Sequence, residues 1–182
     1  MQRGLSKKLM KGVPQLNSDM SVTVTANDGS IIHVIPSSAL ARGGIGYLYE
    51  RIVGLHYERI GYSVEYRCHL GFMDRGVDLV AKNETECRFI QCKFTLKSMS
   101  RAKVESLLFA ASTFVQKNLE PISNHFDLVV PSKETAFPER RQTAQRAFFR
   151  YNTTQHQVRL NIVEVPIEVP ELLLGGTNEN AT

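Results

Sequence analysis

The chain contains no tryptophan and three cysteines, Cys68, Cys87 and Cys92, in 182 residues. An odd number of cysteines without Cys-x-x-Cys spacing argues against a disulfide scaffold and a zinc knot, and suits a reducing compartment. No run approaches the ~18 apolar residues of a membrane-crossing helix, and the start lacks the apolar segment of a secretory leader. An intracellular protein is expected, cytoplasmic if prokaryotic. No G-x-x-x-x-G-K-[ST] loop is present, so no nucleotide hydrolysis is expected. There is no internal repeat or low-complexity tract. No acid precedes Asp19, whereas Arg3, Lys7, Lys8 and Lys11 all do. Residues 1–40 are expected to be a basic arm plus a β-hairpin extension. The arm reads as solvated and flexible, with phosphate contact or organelle targeting as alternatives.

The composition is that of a globular domain with a core of its own: 42% hydrophobic, 22% charged, net charge +4. A pI near 9.0 is compatible with a polyanionic partner without requiring one. Asn27-Asp28-Gly29 separates two β-rich runs in residues 21–35 and signals a hairpin turn. Residues 45–60 read as a helix with one stripe at Ile45, Leu48, Ile52 and Leu55 and a second at Val53, Tyr57 and Ile60. Strands are expected at YSVEYRCHL, GVDLVA and CRFIQCKFTL. Ser100 caps a helix to about 117 with Val104, Leu107, Leu108, Ala111 and Val115 inward. FDLVV is a central strand, Pro138 opens a helix to about Tyr151, and VRLNIVEV is the last strand. Tight connections pair the first three strands antiparallel, and strand–helix–strand crossovers pair the rest in parallel. The expected fold is α/β, a mixed sheet with helices on both faces over residues 41–170, and a flexible tail over 171–182.

The chemistry concentrates in GVDLVAKNETECRFIQCKF, residues 76–94. Asp78 interrupts one apolar run, and Gln91 and Lys93 the next. Unpaired polar groups at inward strand positions cost several kcal/mol, on the order given for buried charges, so three of them imply a shared partner. Alternation puts Gln91 and Lys93 on one face with Phe89 and Thr95. If the turn centres between Glu84 and Thr85, opposed residue numbers sum to 169 and Asp78 faces Gln91. A small hard cation fits between such a pair, with oxygens from Asp78, Gln91 and the Cys92 carbonyl. Lys93, protonated, stands beside it to stabilise charge on a phosphate.

These residues resemble the PD-(D/E)XK nuclease superfamily, specifically its Mrr-type restriction-endonuclease branch, in which D…QxK replaces the usual second acid. Asp74-Arg75-Gly76-Val77-Asp78, Ile90-Gln91-Cys92-Lys93, and Tyr49-Glu50 followed by Gly61 carry the likeness, which spans about 44–165. The resemblance implies a restriction-endonuclease-like fold and Mg²⁺-dependent cleavage of DNA, with Mn²⁺ as a substitute. It implies Asp78, Gln91 and the Cys92 carbonyl at the metal, Lys93 as the catalytic lysine and Glu50 as a supplementary acid. Glu58 is a rival for the last role, and Asp74 either shapes the turn or joins the metal. Lys97, Arg101 and Lys103, and the arginines Arg140, Arg141, Arg146 and Arg150, are candidate phosphate contacts. His56 and His69 read as structural. A homodimer or a partner recognition subunit would supply specificity and a second cut. Restriction, junction processing, repair and recombination all fit this chemistry. A DNA-binding or assembly subunit without catalysis is the alternative.

Overall fold

A ribbon of two β-rich runs needs a residue that tolerates positive φ at its turn, and Gly29 supplies it with φ 83°. Asp28 closes the same turn by accepting the Ser30 N–H at 2.9 Å and its hydroxyl at 2.7 Å. The computed structural model describes residues 2–40, 43–67, 76–138, 144–146 and 157–168. The chain forms two compact units, Met1–Ile52 with Ile167–Thr182, and Val53–Pro166. The division lies inside a helix rather than after residue 40. The expected tail at 171–182 lies outside the described residues.

The first unit contains α1 (Gln2–Leu9), β1 (Val13–Leu16), β2 (Val22–Thr25), β3 (Ile31–Ile35), α2 (Ser37–Leu40) and the first half of α3 (Gly44–Arg59). Strands β1, β2 and β3 form an antiparallel sheet in that order. β1 is additional to the expected hairpin. It tolerates Pro14 because an edge strand need not donate from every residue. The basic segment is a helix rather than a flexible arm. Leu9 is buried with Val22, Val24, Ile35, Leu40 and Leu48, and Leu5 packs against the same cluster. Arg51 of α3 holds the turn after α1 through the Gly12 carbonyl, at 3.3 Å from Nε and 3.2 Å from Nη2.

The second unit continues α3 and adds β4 (Ser63–Tyr66), β5 (Leu79–Lys82), β6 (Glu86–Cys92), α4 (Arg101–Lys117), β7 (Ser123–Val130), α5 (Lys133–Ala136) and β8 (Val158–Glu164). The five strands lie in sequence order; β4–β5 and β5–β6 are antiparallel, β6–β7 and β7–β8 parallel. Gly61, at φ 93°, ends α3 and leaves Ile60 57% exposed instead of packed. α4 is capped by the Ser100 hydroxyl and lays Val104, Ala111 and Val115 on the face carrying Phe89, Phe126 and Leu128. On the other face the α3 residue Tyr57 reaches β7. Helices therefore cover both faces. The short α5 is unanticipated. Of the helix expected after Pro138, only 144–146 are described; they are helical, with Ala144 in the core.

β6 stops at Cys92 instead of running to Leu96. Lys93 still donates its N–H to Val129 O at 2.8 Å, after which the Thr95 hydroxyl bonds Lys97 O at 2.7 Å and folds the chain away. Gly76 leads into β5 with φ 75°, and a Cβ there would stand 3.0 Å from the Ala110 Cβ and 3.1 Å from the Ala111 nitrogen. Both the conformation and the approach to α4 require glycine. Gly76→Ala should lower stability by at least ~1–2 kcal/mol, the cost of a left-handed L-residue, as a reduced urea midpoint at unchanged m-value; an unchanged midpoint would contradict this.

Candidate active site

Asn83 sets the geometry of the site from a distance. Its Oδ1 accepts the N–H groups of Thr85 at 2.9 Å and Glu86 at 2.8 Å, building a tight turn between β5 and β6. The resulting pairs, Leu79 with Ile90 and Lys82 with Cys87 among them, all sum to 169. Asp78 continues the ladder by donating its N–H to Ile90 O at 2.8 Å. It therefore faces Gln91, as the turn chemistry predicts.

Oδ2 of Asp78 accepts the Cys92 backbone N–H at 2.7 Å and the Gln91 carboxamide Nε2. That nitrogen also lies 3.3 Å from the Cys92 carbonyl. Carboxylate, carboxamide and main-chain carbonyl thus converge. Asp78 is 7% and Gln91 8% exposed, so both are buried. Lys93 follows on the same face, half-buried, and its ammonium makes no ion pair or hydrogen bond among the described residues.

The residues present fit a hard divalent cation. The Gln91 amide nitrogen occupies the gap between two oxygens, and turning the amide over exchanges it for Oε1, which would complete a set of three oxygen donors. Only one of the three carries a charge: no group of three His, Cys, Asp or Glu that could hold a metal occurs among the described residues.

Arg67 was not anticipated. It follows β4, and its N–H bonds Asp78 O at 2.8 Å, which aligns Arg67, Asp78 and Gln91 across three strands. Its guanidinium lies 3.9 Å from the centre of the Phe114 ring on α4, and its Nε is buried with no hydrogen-bond partner among the described residues. The β4–β5 register was the signal for it, once β4 is recognised as ending beside Asp78.

Glu50 belongs to the first unit, half-buried, with Oε2 shielded from solvent. Glu58 is exposed and accepts the Tyr66 hydroxyl at 2.7 Å. Lys97, Arg101 and Lys103 are exposed; Arg101 pairs with Glu105 at 2.8 Å one helical turn on. Arg146 is exposed, and His56 stacks edge-on against Tyr57. Cys68, His69, Asp74, Arg140, Arg141 and Arg150 lie outside the described residues. Among the described residues, no helix is long and apolar enough to cross a membrane.

The opposite face of the sheet holds a second polar cluster. Asp127 on β7 is wholly buried; its Oδ2 accepts Tyr57 O–H at 2.7 Å and Arg88 Nη1 at 3.0 Å, and its Oδ1 accepts Asn161 Nδ2 at 2.6 Å. Arg88 on β6 also donates from Nη2 to Glu86 at 2.7 Å, and Tyr62 O–H donates to the same carboxylate at 2.6 Å. Burial, then the Asp127 carboxylate, pushes the Tyr57 hydroxyl far up. Burial opposes the charge on Arg88, but Asp127, Tyr62 and Glu86 together raise its pKa. The Tyr62 hydroxyl, ahead of Arg88, lowers that of Glu86. His125 is depressed by burial and then by Arg88. Geometry agrees: Asn161, oriented by Asp127, presents its amide nitrogen 3.2 Å from His125 Nδ1, which must therefore be unprotonated.

Asp127→Ala should cost ~1–3 kcal/mol in equilibrium unfolding, because Tyr57 O–H, Asn161 Nδ2 and Arg88 Nη1 lose their buried acceptor while Arg88 keeps Glu86. The His125 contribution is complete above the ordinary histidine value of 6.5 and is lost as pH falls below it, since the unfolded chain takes the proton first. Urea midpoints should decline from neutral pH toward the folded-state value, and His125→Gln should flatten that decline. An equal slope in the variant would assign the effect elsewhere.

No protein-family model, no curated protein and no solved structure matches the chain.

Proposed function

We propose that the chain is a metal-dependent deoxyribonuclease with a restriction-endonuclease-like fold, hydrolysing phosphodiester bonds in DNA. The observation that carries the reading is the convergence of Asp78, Gln91 and the Cys92 carbonyl, with Lys93 next on the same face. The five-stranded mixed sheet with helices on both faces supports it too. Asp78, Gln91 and the Cys92 carbonyl would hold Mg²⁺, or Mn²⁺ in its place. When bound, the ion supplies Lewis-acid polarisation of the phosphoryl group and lowers the pKa of water.

The side chains have separable tasks. Two donors, the Cys92 N–H and the Gln91 amide, hold the Asp78 carboxylate in orientation before any substrate arrives. Lys93 keeps its ammonium uncommitted, and stabilises the negative charge that grows on the phosphoryl oxygens as the in-line attack proceeds. Arg67 provides a permanent cation on the strand beside Asp78. A non-catalytic DNA-binding subunit is the second reading, favoured by the lack of a cluster of three acidic or imidazole ligands among the described residues.

Supercoiled, linear and branched DNA, each incubated with Mg²⁺, Mn²⁺ or EDTA, separates the two. Cleavage should require the metal and fall by ~10²-fold or more in Asp78→Asn and Lys93→Met. Calorimetric Mn²⁺ titration should show binding lost in Asp78→Asn but retained in Lys93→Met. DNA binding without cleavage under every condition would establish the second reading and remove the first.

A further inference from the structure

The first unit carries six acids for six cations, but Glu168, Glu171 and Glu179 lie in its C-terminal segment; within residues 1–52, Arg3, Lys7, Lys8, Lys11, Arg42 and Arg51 outnumber Asp19, Asp28 and Glu50. Two of those acids are committed to their own turns. Asp19 accepts the Ser21 N–H at 2.9 Å and hydroxyl at 2.6 Å, and Asp28 does the same for Ser30. These bonds lower both carboxyl pKa values, from the side-chain hydroxyl first. Arg51 is equally committed, to Gly12. Lys7, Lys8 and Lys11 remain, all exposed, with no ion pair among the described residues.

Their presentation is fixed rather than trailing. Ser6 and Leu9 are buried on one side of α1, and the helical turn continues through Met10 N to Ser6 O at 3.0 Å and Lys11 N to Lys8 O at 3.2 Å. Positions 7, 8 and 11 then share the opposite side, one turn apart, in the spacing that neighbouring helical residues adopt. A cation at a helix C-terminus favours the helix dipole, but three like charges within one turn repel one another unless an anion joins them.

We infer that this lysine face of α1 docks the phosphate backbone of duplex DNA, as a contact surface separate in sequence from the cleavage site. The identity of the polyanion rests on the proposed nuclease function; the surface itself rests on the charges and their burial pattern. An anionic membrane is the less suitable partner. A basic amphipathic helix binds a bilayer by inserting its apolar face, and here Leu5 and Leu9 already pack into the core of the unit.

The test is fluorescence anisotropy of the full chain on a short duplex in EDTA, from about 50 to 200 mM salt. A triple Lys7→Gln, Lys8→Gln, Lys11→Gln variant should bind more weakly, with the slope of log K against log salt reduced by about 2 to 3, near 0.9 per lost phosphate contact. A triple arginine variant should restore the slope. If the glutamine triple does not fold by circular dichroism, each single variant should still lower the slope by about 0.9. Equal slopes in variant and wild type, or a lower melting temperature with binding untouched, would overturn the inference and leave a dipole role. So would lysine-dependent capture by phosphatidylserine vesicles without DNA binding. Lysine-dependent binding of DNA that is never cleaved would sink the nuclease reading and leave this surface standing; cleavage with lysine-independent binding would do the reverse.

Discussion

The register between β5 and β6 is the constraint on which the rest of the candidate site depends. Side chains alternate along a strand, so a slip of one residue would carry Asp78 to the other face and pair it with a different partner. Asn83 prevents the slip by satisfying two turn amides with one oxygen. The ladder then runs past the formal ends of both strands, through Asp78 N to Ile90 O and Lys93 N to Val129 O. Gly76 performs the matching task upstream, because only a residue without Cβ enters β5 so close to α4. Positioning here is a property of backbone hydrogen bonds more than of side-chain packing.

The sheet uses its two faces differently. On the α4 side the apolar layer of Phe89, Phe126 and Leu128 gives way, along β6, to Gln91 and Lys93. On the other side Arg88, Asp127 and Tyr57 tie β6, β7 and α3 together through a fully buried carboxylate. Arg88 and Gln91 sit three residues apart on one strand, so they face opposite ways. A charged pair inside a protein contributes little net stability against an apolar replacement, yet leaving one member alone is costly. Such a cluster therefore penalises any misaligned pairing of β6 with β7. It works for specificity of register, which is what the Asp78–Gln91 side needs.

Much of this was legible in the sequence, for identifiable reasons. The helix at 44–59, the Ser100 cap, the antiparallel meander and the 169 register all follow from local signals: periodicity, a capping hydroxyl, a short polar turn. Non-local partnerships were not legible. Asp127 reads as one polar residue in an apolar strand, and nothing in FDLVV names Tyr57 or Arg88 as its partners. Arg67 needed the β4–β5 register before its alignment with Asp78 could be seen. In sequence, α1 looks like a flexible arm because its apolar stripe, Leu5 and Leu9, spans one turn only, too short for periodicity to outweigh four cations. Strand β6 ended early because Thr95 bonds its own neighbours rather than the sheet.

The choice of a carboxamide at position 91 has an electrostatic consequence. Two carboxylates this close share a proton or repel, and an unliganded pair would push Asp78 away from its strand. Gln91 instead donates to Asp78 and keeps the pair closed without any cation. On the proposed reading the site then offers a metal one formal negative charge plus neutral oxygens, a weak endowment for Mg²⁺, which sheds water reluctantly. Oxygens of the DNA phosphate would supply the missing charge, so that metal and substrate bind each other as much as they bind the protein. On that reading the ion would bind more tightly with a phosphate present than without it, which would couple metal affinity to substrate occupancy.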